Sequence, residues 1–273
     1  MLRLVRSPNA GDDGSRAYDI KRPVPPQLLE SVDVLVHTAY DFSVTSRKDV
    51  WRTNVQGTRG LLTSAQAAGV RRILVLSTMS AYDGTTQIYG QAKLAIEAAT
   101  LAVGGCAIRP GLVYGDSPGG MAGALRKLTR LPLVPLVAAD ARQYLVHEDD
   151  LIGAIAALAT AETIPAGPIG IAHARPVAFK DLLVGLAAQD GRRCRFIPVP
   201  WQLVSWALRF GERLHLRLPF RADSLLGLVR PAPSVTGVDA LRELGVTLRA
   251  FDPQQRAVQS DGREKGTHGR SDP

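Results

Sequence analysis

The chain has 273 residues, 45% of them apolar and 21% charged, enough to bury a substantial core as one large domain or two lobes. Its formal net charge of +8 comes with only 5% aromatic residues. Lys and Arg are scattered rather than blocked, so the charge reads as a solvated, Arg-rich surface and not a nucleic-acid site, with some of it available to a phosphorylated ligand. Two cysteines are too few for a disulfide framework, neither has a His at zinc-ligand spacing, so no metal site is expected, and no run reaches the roughly 18 apolar residues of a membrane span.

In chain order, Val32-Asp33-Val34-Leu35-Val36-His37 and Arg72-Ile73-Leu74-Val75-Leu76-Ser77 are short, β-branched apolar runs, as expected of strands buried on both faces of a parallel sheet. Between them Asn54 to Ala65 carries apolar residues at helix spacing, and Gly69 supplies a C-cap. A further helix is predicted from about Gln87 to Leu101, then a strand through Cys106-Ala107-Ile108-Arg109 that stops at Pro110-Gly111. Strand and helix alternate, which predicts right-handed βαβ crossovers and an α/β, doubly wound Rossmann-type parallel sheet. Cys106, inside an apolar strand, is expected to be a buried thiol.

After Gly115 the alternation gives way to Gly- and Pro-punctuated segments. Strands are predicted near Leu133 to Val137, Ile169 to Ala172 and Arg195 to Val199, and helices near Asp149 to Ala161, Phe179 to Gln189 and Ala222 to Leu228. The segment from Trp201 to Leu218 mixes apolar and basic residues at helix spacing. Its expected role is to close the substrate pocket of its own lobe, with contact to a membrane surface as the alternative. Residues 252–273 hold almost no apolar side chain and read as a disordered tail.

The chemistry-bearing motif is Tyr89-Gly90-Gln91-Ala92-Lys93. A Tyr and a Lys four apart share one helix face, and the preceding strand ends in hydroxyl residues at Ser77, Thr78 and Ser80. A phenol has a pKa near 10, and an adjacent cation favours its phenolate, bringing it towards a value useful for acid/base work. The pair alone is a weak signal; a packed ring and a solvated Lys share the same spacing.

Its surroundings make it stronger. Asp33 to Ala39, Asn54-Val55-Gln56-Gly57-Thr58, Leu76-Ser77-Thr78, Tyr89 to Lys93, Ile108 to Gly115 and Tyr144 to Leu151 resemble, in order, successive blocks of the extended or atypical short-chain dehydrogenase/reductases, the group of nucleotide-sugar epimerases and dehydratases. The resemblance covers roughly residues 1 to 251. It implies Tyr89 as proton donor and acceptor, Lys93 as the cation that lowers its pKa and holds the cofactor ribose, Thr78 as the hydroxyl that orients the substrate oxygen with Ser80 in reserve, and Asn54 as holder of a water connecting to Lys93. Glu148, Asp149 and Asp150 after His147 are expected to form a helix N-terminus, where carboxylates suit the dipole.

The resemblance also assigns the cofactor side. Met1 to Pro8 is similar to the family's second strand, whose end carries Arg6 and Ser7 and no carboxylate; a ribose 2′-phosphate favours Arg there, so NADP is expected, with NAD as the alternative. Asp19 and Ile20 take the adenine-contacting positions, Thr38, Ala39 and Tyr40 run beneath the cofactor, and Pro110 lies near the nicotinamide. The family's opening strand and Gly-x-x-Gly-x-x-Gly turn have no counterpart here. Gly11-Asp12-Asp13-Gly14 opens no helix and would repel phosphate, so a chain starting about 25 to 30 residues late, lacking one βα unit, is expected.

The resemblance thus implies a Rossmann-type domain over residues 1–115 and a smaller interwoven substrate lobe over residues 116–251, with a strand near residues 169–172 returning to the sheet. The implied activity is hydride transfer at a hydroxyl or carbonyl carbon of a small molecule, such as a nucleotide sugar or a related alcohol or ketone. The competing class is a non-catalytic, cofactor-binding or structural relative. A cytoplasmic protein is expected, and the family allows a homodimer.

Overall fold

The structure, a computed structural model, describes residues 1–9, 12, 14–116, 119–165, 167–214, 216 and 220–253; most of the tail assigned from Asp252 lies outside them. The chain opens with β1 (Arg3–Val5) and β2 (Ser15–Ala17), a parallel ribbon with Arg3 opposite Ser15. Then come β3 (Val34–His37), α1 (Arg47–Val50), a π-helical turn (Trp51–Val55), α2 (Gln56–Ala67), β4 (Arg72–Leu76), α3 (Ile88–Ala102) and β5 (Cys106–Pro110). The first helix starts earlier than the apolar spacing suggests because Ser46 caps it, its Oγ accepting from Asp49 N at 3.1 Å. β5 runs through Pro110, one residue past the expected stop. A proline at a strand end forgoes only its N–H, and its carbonyl still accepts from Met79 N at 3.2 Å.

The central sheet is parallel, in the order β10-β5-β4-β3, with β10 (Ile169–Ile171) returning beside β5. Its two faces bury different partners, as the period of 2 dictates. Leu35, Ile73 and Val75 pack against Leu61, Leu62 and Ala65 of α2 and Ala92 and Ile96 of α3. Leu74, Cys106 and Ile108 turn the other way, onto Leu151, Ala154 and Leu158 of α5 (Glu148–Thr160). That two-sided cover makes the sheet doubly wound and explains its nearly continuous apolar strands. The β1–β2 ribbon makes no ladder with this sheet, in which β3 is an edge.

A third core belongs to the C-terminal half. β6 (Leu112–Tyr114) pairs with β9 (Leu145–His147), β7 (Val134–Leu136) with β12 (Phe196–Pro198), and β8 (Arg142–Gln143) with β11 (Val177–Ala178). Around them lie α4 (Gly120–Leu128), α6 (Phe179–Gln189), α7 (Trp201–Arg213), α8 (Ala222–Val229) and α9 (Val238–Glu243). Leu125, Val134, Leu145, Phe179, Leu182, Leu186, Leu225 and Leu228 form that core, whereas α9 packs under β10 through Leu241. Cys106 is fully buried, which pushes its thiol up to about 11.

Candidate active site

The site forms where β4, β5 and α3 meet the C-terminal lobe. β4 ends at Leu76, and the chain turns across its carboxyl end through Ser77, Thr78, Met79 and Ser80, where Thr78 Oγ1 accepts from Ser80 N at 3.2 Å. α3 presses its first turn onto this loop. A Cβ on Gly90 would lie 2.4 Å from the Ser80 carbonyl and 2.8 Å from Thr85 Oγ1, so only glycine lets Tyr89 and Lys93 come this close to Thr78.

Tyr89, Thr78, Tyr40 and Pro110 all line a cavity of about 830 Å³. Burial pushes the Tyr89 phenol up to about 12, and a hydrogen bond with Thr78 pulls the other way. Tyr40 stands edge-on to Tyr89 with centroids 5.1 Å apart, and Phe42 completes the aromatic cluster at 4.8 Å from Tyr40. Lys93 is buried, donates from Nζ to the Leu76 carbonyl at 2.6 Å, and lies 4.9 Å from the Tyr40 ring centroid and 5.9 Å from that of Tyr89. The ammonium thus sits over the rings rather than against the phenol oxygen, and lowering of the phenol pKa by Lys93, anticipated from the motif, is not the dominant influence here.

Burial brings Lys93 down to about 8, with Glu97 opposing. Between about pH 8 and the unfolded value near 10.5 the unfolded chain binds the proton and the folded chain does not, so stability rises with pH across that window. Replacing Lys93 with Met removes that rise, worth at most about 3 kcal/mol, while abolishing any function of the ammonium. Chemical denaturation of both proteins between pH 7 and 10.5 checks this; an unchanged slope contradicts it.

Asn54 is fully buried in the π-helical turn, a feature frequent at functional sites. Its Oδ1 accepts from Asp41 N at 2.6 Å and its Nδ2 donates to Asp41 O at 3.2 Å. One amide N–H remains for a water. The Asp41 carboxylate in turn draws Lys21 Nζ to 2.8 Å and Arg6 Nη2 to 3.9 Å, and the hydrogen bonds from Lys21 and then Ser43 hold it well below the usual carboxylate range. Arg6, Ser7, Asp19, Ile20, Thr38 and Ala39 do not line the cavity. Ile20 is buried against α2, its carbonyl so close that Gly57 cannot carry a Cβ, Asp19 Oδ1 accepts from Lys21 N at 3.0 Å, and Thr38 is exposed beyond β3.

Two groups of site residues were not singled out from the sequence. Glu97, one turn beyond Lys93, takes a bidentate pair from Arg109, with Nε at 2.8 Å and Nη2 at 2.6 Å, and a hydrogen bond from Ser77 Oγ, welding α3 to the ends of β4 and β5. Its i+4 spacing from Lys93 was the available signal. Asp223 of α8 accepts from Ile88 N at 3.0 Å and Tyr89 N at 3.1 Å, capping the helix that carries Tyr89, while Arg221 donates to the Phe42 carbonyl at 2.6 Å. No local pattern announces contacts that distant in the chain. His147 caps α5, its Nδ1 accepting from Asp149 N at 3.2 Å, so Glu148 to Asp150 occupy the first turn.

The nicotinamide half of a dinucleotide fits these residues: a phenol, a hydroxyl and a buried ammonium converge beside Pro110 at the end of a parallel sheet. For the diphosphate, the described residues offer Arg6 and Lys21, both drawn to Asp41, and no Gly-x-x-Gly-x-x-Gly turn between β1 and a following helix.

A strand-end hydroxyl, a Tyr and a Lys one turn apart on the next helix, and a doubly wound sheet beneath them define a short-chain dehydrogenase/reductase type of protein. Residues 26–169, just over half of the chain, match the NAD dependent epimerase/dehydratase family, and the chain belongs to that family. It is 25% identical over 222 residues to a ceramide reductase of Caulobacter vibrioides (strain NA1000 / CB15N), a match covering 80% of this chain and 65%, just under two thirds, of that curated relative. Among solved structures it resembles MoeE5 in complex with UDP-glucose and NAD, at 20% identity and a TM-score of 0.67, over 91% of this chain and 85% of that one. It also resembles the dTDP-glucose 4,6-dehydratase DesIV of Streptomyces venezuelae, at 21% identity and a TM-score of 0.61, over 89% and 77%. At these identities the two structures speak for the fold.

Proposed function

We propose that the chain carries the catalytic and substrate-binding parts of an NAD(P)-dependent oxidoreductase acting on a hydroxyl or carbonyl carbon. The observation that carries this reading is the convergence of Thr78 and Tyr89 on one cavity wall with Lys93 buried behind them. When bound, the cofactor gives or takes the hydride at nicotinamide C4. Thr78 then holds the substrate oxygen, and Tyr89 Oη gives that oxygen a proton during reduction or takes one during oxidation. Lys93 would hold the nicotinamide ribose, with Tyr40 and Pro110, which line the same cavity, on the nicotinamide side. Asn54 keeps the Asp41 backbone in place and offers its free N–H to a water behind Lys93.

The cavity favours a substrate with an apolar body. Val44, Val50, Leu112, Val113, Met121, Phe220, Leu228 and Pro231 line it, and Arg221 is the one cation among its described lining residues. A nucleotide-sugar diphosphate asks for more positive charge than that. The relative named ceramide reductase supports the same direction, a ketone or alcohol on an amphiphile. Purified protein given NADPH with an amphiphilic ketone, or NADP+ with UDP-glucose, tests the choice; turnover of the sugar nucleotide alone overturns it.

For the cofactor we propose NADP over NAD, with Arg6 as the 2′-phosphate partner. The Arg6 side chain is 64% exposed and 3.9 Å from Asp41, a loose pair that leaves the guanidinium free to turn to a phosphate. Arg6→Ala should cut NADPH affinity about tenfold or more, the size of a charge-assisted hydrogen bond, and leave NADH affinity nearly unchanged. Titration of each cofactor checks it, and tighter NADH binding by the unaltered protein contradicts the assignment.

A further inference from the structure

The expected pocket-closing role of the Trp201 segment falls to other residues: Phe220, Arg221 and four residues of α8 line the cavity, and none of the described residues of α7 does. α7 instead packs Trp201, Val204 and Leu208 onto the lobe's core and buries Ser205 and Gly211. Its opposite face is also apolar. Leu203 is 61% exposed, Trp206 69%, Phe210 52% and Leu214 56%, and their spacing of three, four and four residues aligns them in one stripe. Trp206 and Phe210 stack on each other, centroids 5.8 Å apart. Large side chains gathered in this way mark a surface that meets something apolar.

Charge identifies the partner. Arg209 and Arg213 follow the stripe along one edge, both exposed and neither paired with a carboxylate among the described residues. Arg192, Arg193 and Arg195, also exposed, precede α7 by a few residues, and the chain as a whole carries +8. An apolar stripe holding Trp, Phe and Leu with arginines on its border is the pattern of a helix lying in a lipid–water interface, rings at the acyl boundary and guanidiniums at anionic headgroups. None of the described helices is long and apolar enough to cross a membrane, which leaves α7 to lie on one.

We propose that the outward face of α7 docks the protein on the surface of an anionic phospholipid bilayer. The placement suits the cavity: α7 packs on α8, which lends four residues to the cavity wall. Docking therefore sets the apolar pocket close to the lipid, although binding to the bilayer stands or falls independently of the reaction.

Vesicle co-sedimentation without substrate tests this, using phosphatidylcholine vesicles with or without about one-third phosphatidylglycerol. The protein should sediment with the anionic vesicles, and weakly with neutral ones or in high salt. Trp206→Ser with Phe210→Ser, and separately Arg209→Glu with Arg213→Glu, should each lower partitioning about tenfold or more while leaving the thermal midpoint and turnover of a short, soluble ketone unchanged. Wild-type protein that stays in the supernatant with anionic vesicles overturns the proposal, as do variants that bind like wild type. A stripe variant that converts a dimer to monomer in a protein that binds no vesicles overturns it too, and assigns the face to a second copy of the chain.

Discussion

Tyr89→Phe should lower turnover by about 10² or more, the usual size of a general acid/base contribution, while folding and cofactor affinity hardly change. The substitution removes one oxygen and keeps a ring that Tyr40 and Phe42 already hold, at centroid distances of 5.1 and 5.6 Å. Because burial holds the phenol up to about 12, Tyr89 is protonated at neutral pH, and reduction should decline only as alkaline pH removes that proton. The reverse direction needs the phenolate and should gain with pH. Steady-state rates of the unaltered protein and of Tyr89→Phe across pH 6 to 10, beside their thermal midpoints, check each part: reduction by the unaltered protein should stay level over that range while oxidation rises. A Phe variant with near-normal activity removes Tyr89 from the mechanism even if the fold stands.

The largest loss of stability is expected at Glu97. Its carboxylate is 4% exposed and its partner Arg109 12%, and it also takes the Ser77 hydroxyl. Glu97→Ala leaves the Arg109 guanidinium buried and uncompensated, a situation that costs about 3–5 kcal/mol. For a chain of this size that lowers the thermal midpoint by roughly 6–20 °C. Removing both charges with Glu97→Leu and Arg109→Met should recover most of the loss, since an apolar pair of similar volume is often neutral. The network also fixes Ser77 beside Thr78, so residual activity of the single variant should fall further than its folded fraction. Calorimetry on the two single variants and the double variant measures the coupling, and an unchanged midpoint in Glu97→Ala contradicts it.

The sheet was legible because its strands are short, β-branched and apolar on both sides, and because helix spacing switches on between them. Phe179 to Gln189 matches α6 to the residue for the same reason: periodicity, with a clear stop at Gly191. The small paired strands were harder. β6, β8, β9 and β11 have only two or three residues each, too few for any period, and their pairing depends on partners far away in the chain.

The same division runs through the site. Tyr89 and Lys93 share a helix turn and Thr78 ends a strand, so their proximity follows from local geometry. Glu97 was within reach by the same rule. Asp223 and Arg221 were not, because they meet Ile88, Tyr89 and Phe42 only when the C-terminal lobe folds back over the sheet. The outward stripe of α7 lay between these extremes: its helical apolar spacing was visible, but whether that face turned to the pocket or to solvent is decided by packing.

The most direct test of a hydride-transferring site is isotopic. Deuterium at C4 of NADPH, supplied to the purified protein with an amphiphilic ketone, should appear at the carbinol carbon of the product, with the yield in a fixed time reduced about 10²-fold in Tyr89→Phe. Cofactor that binds while no deuterium reaches the ketone would contradict the account and leave a protein that binds its cofactor without using it.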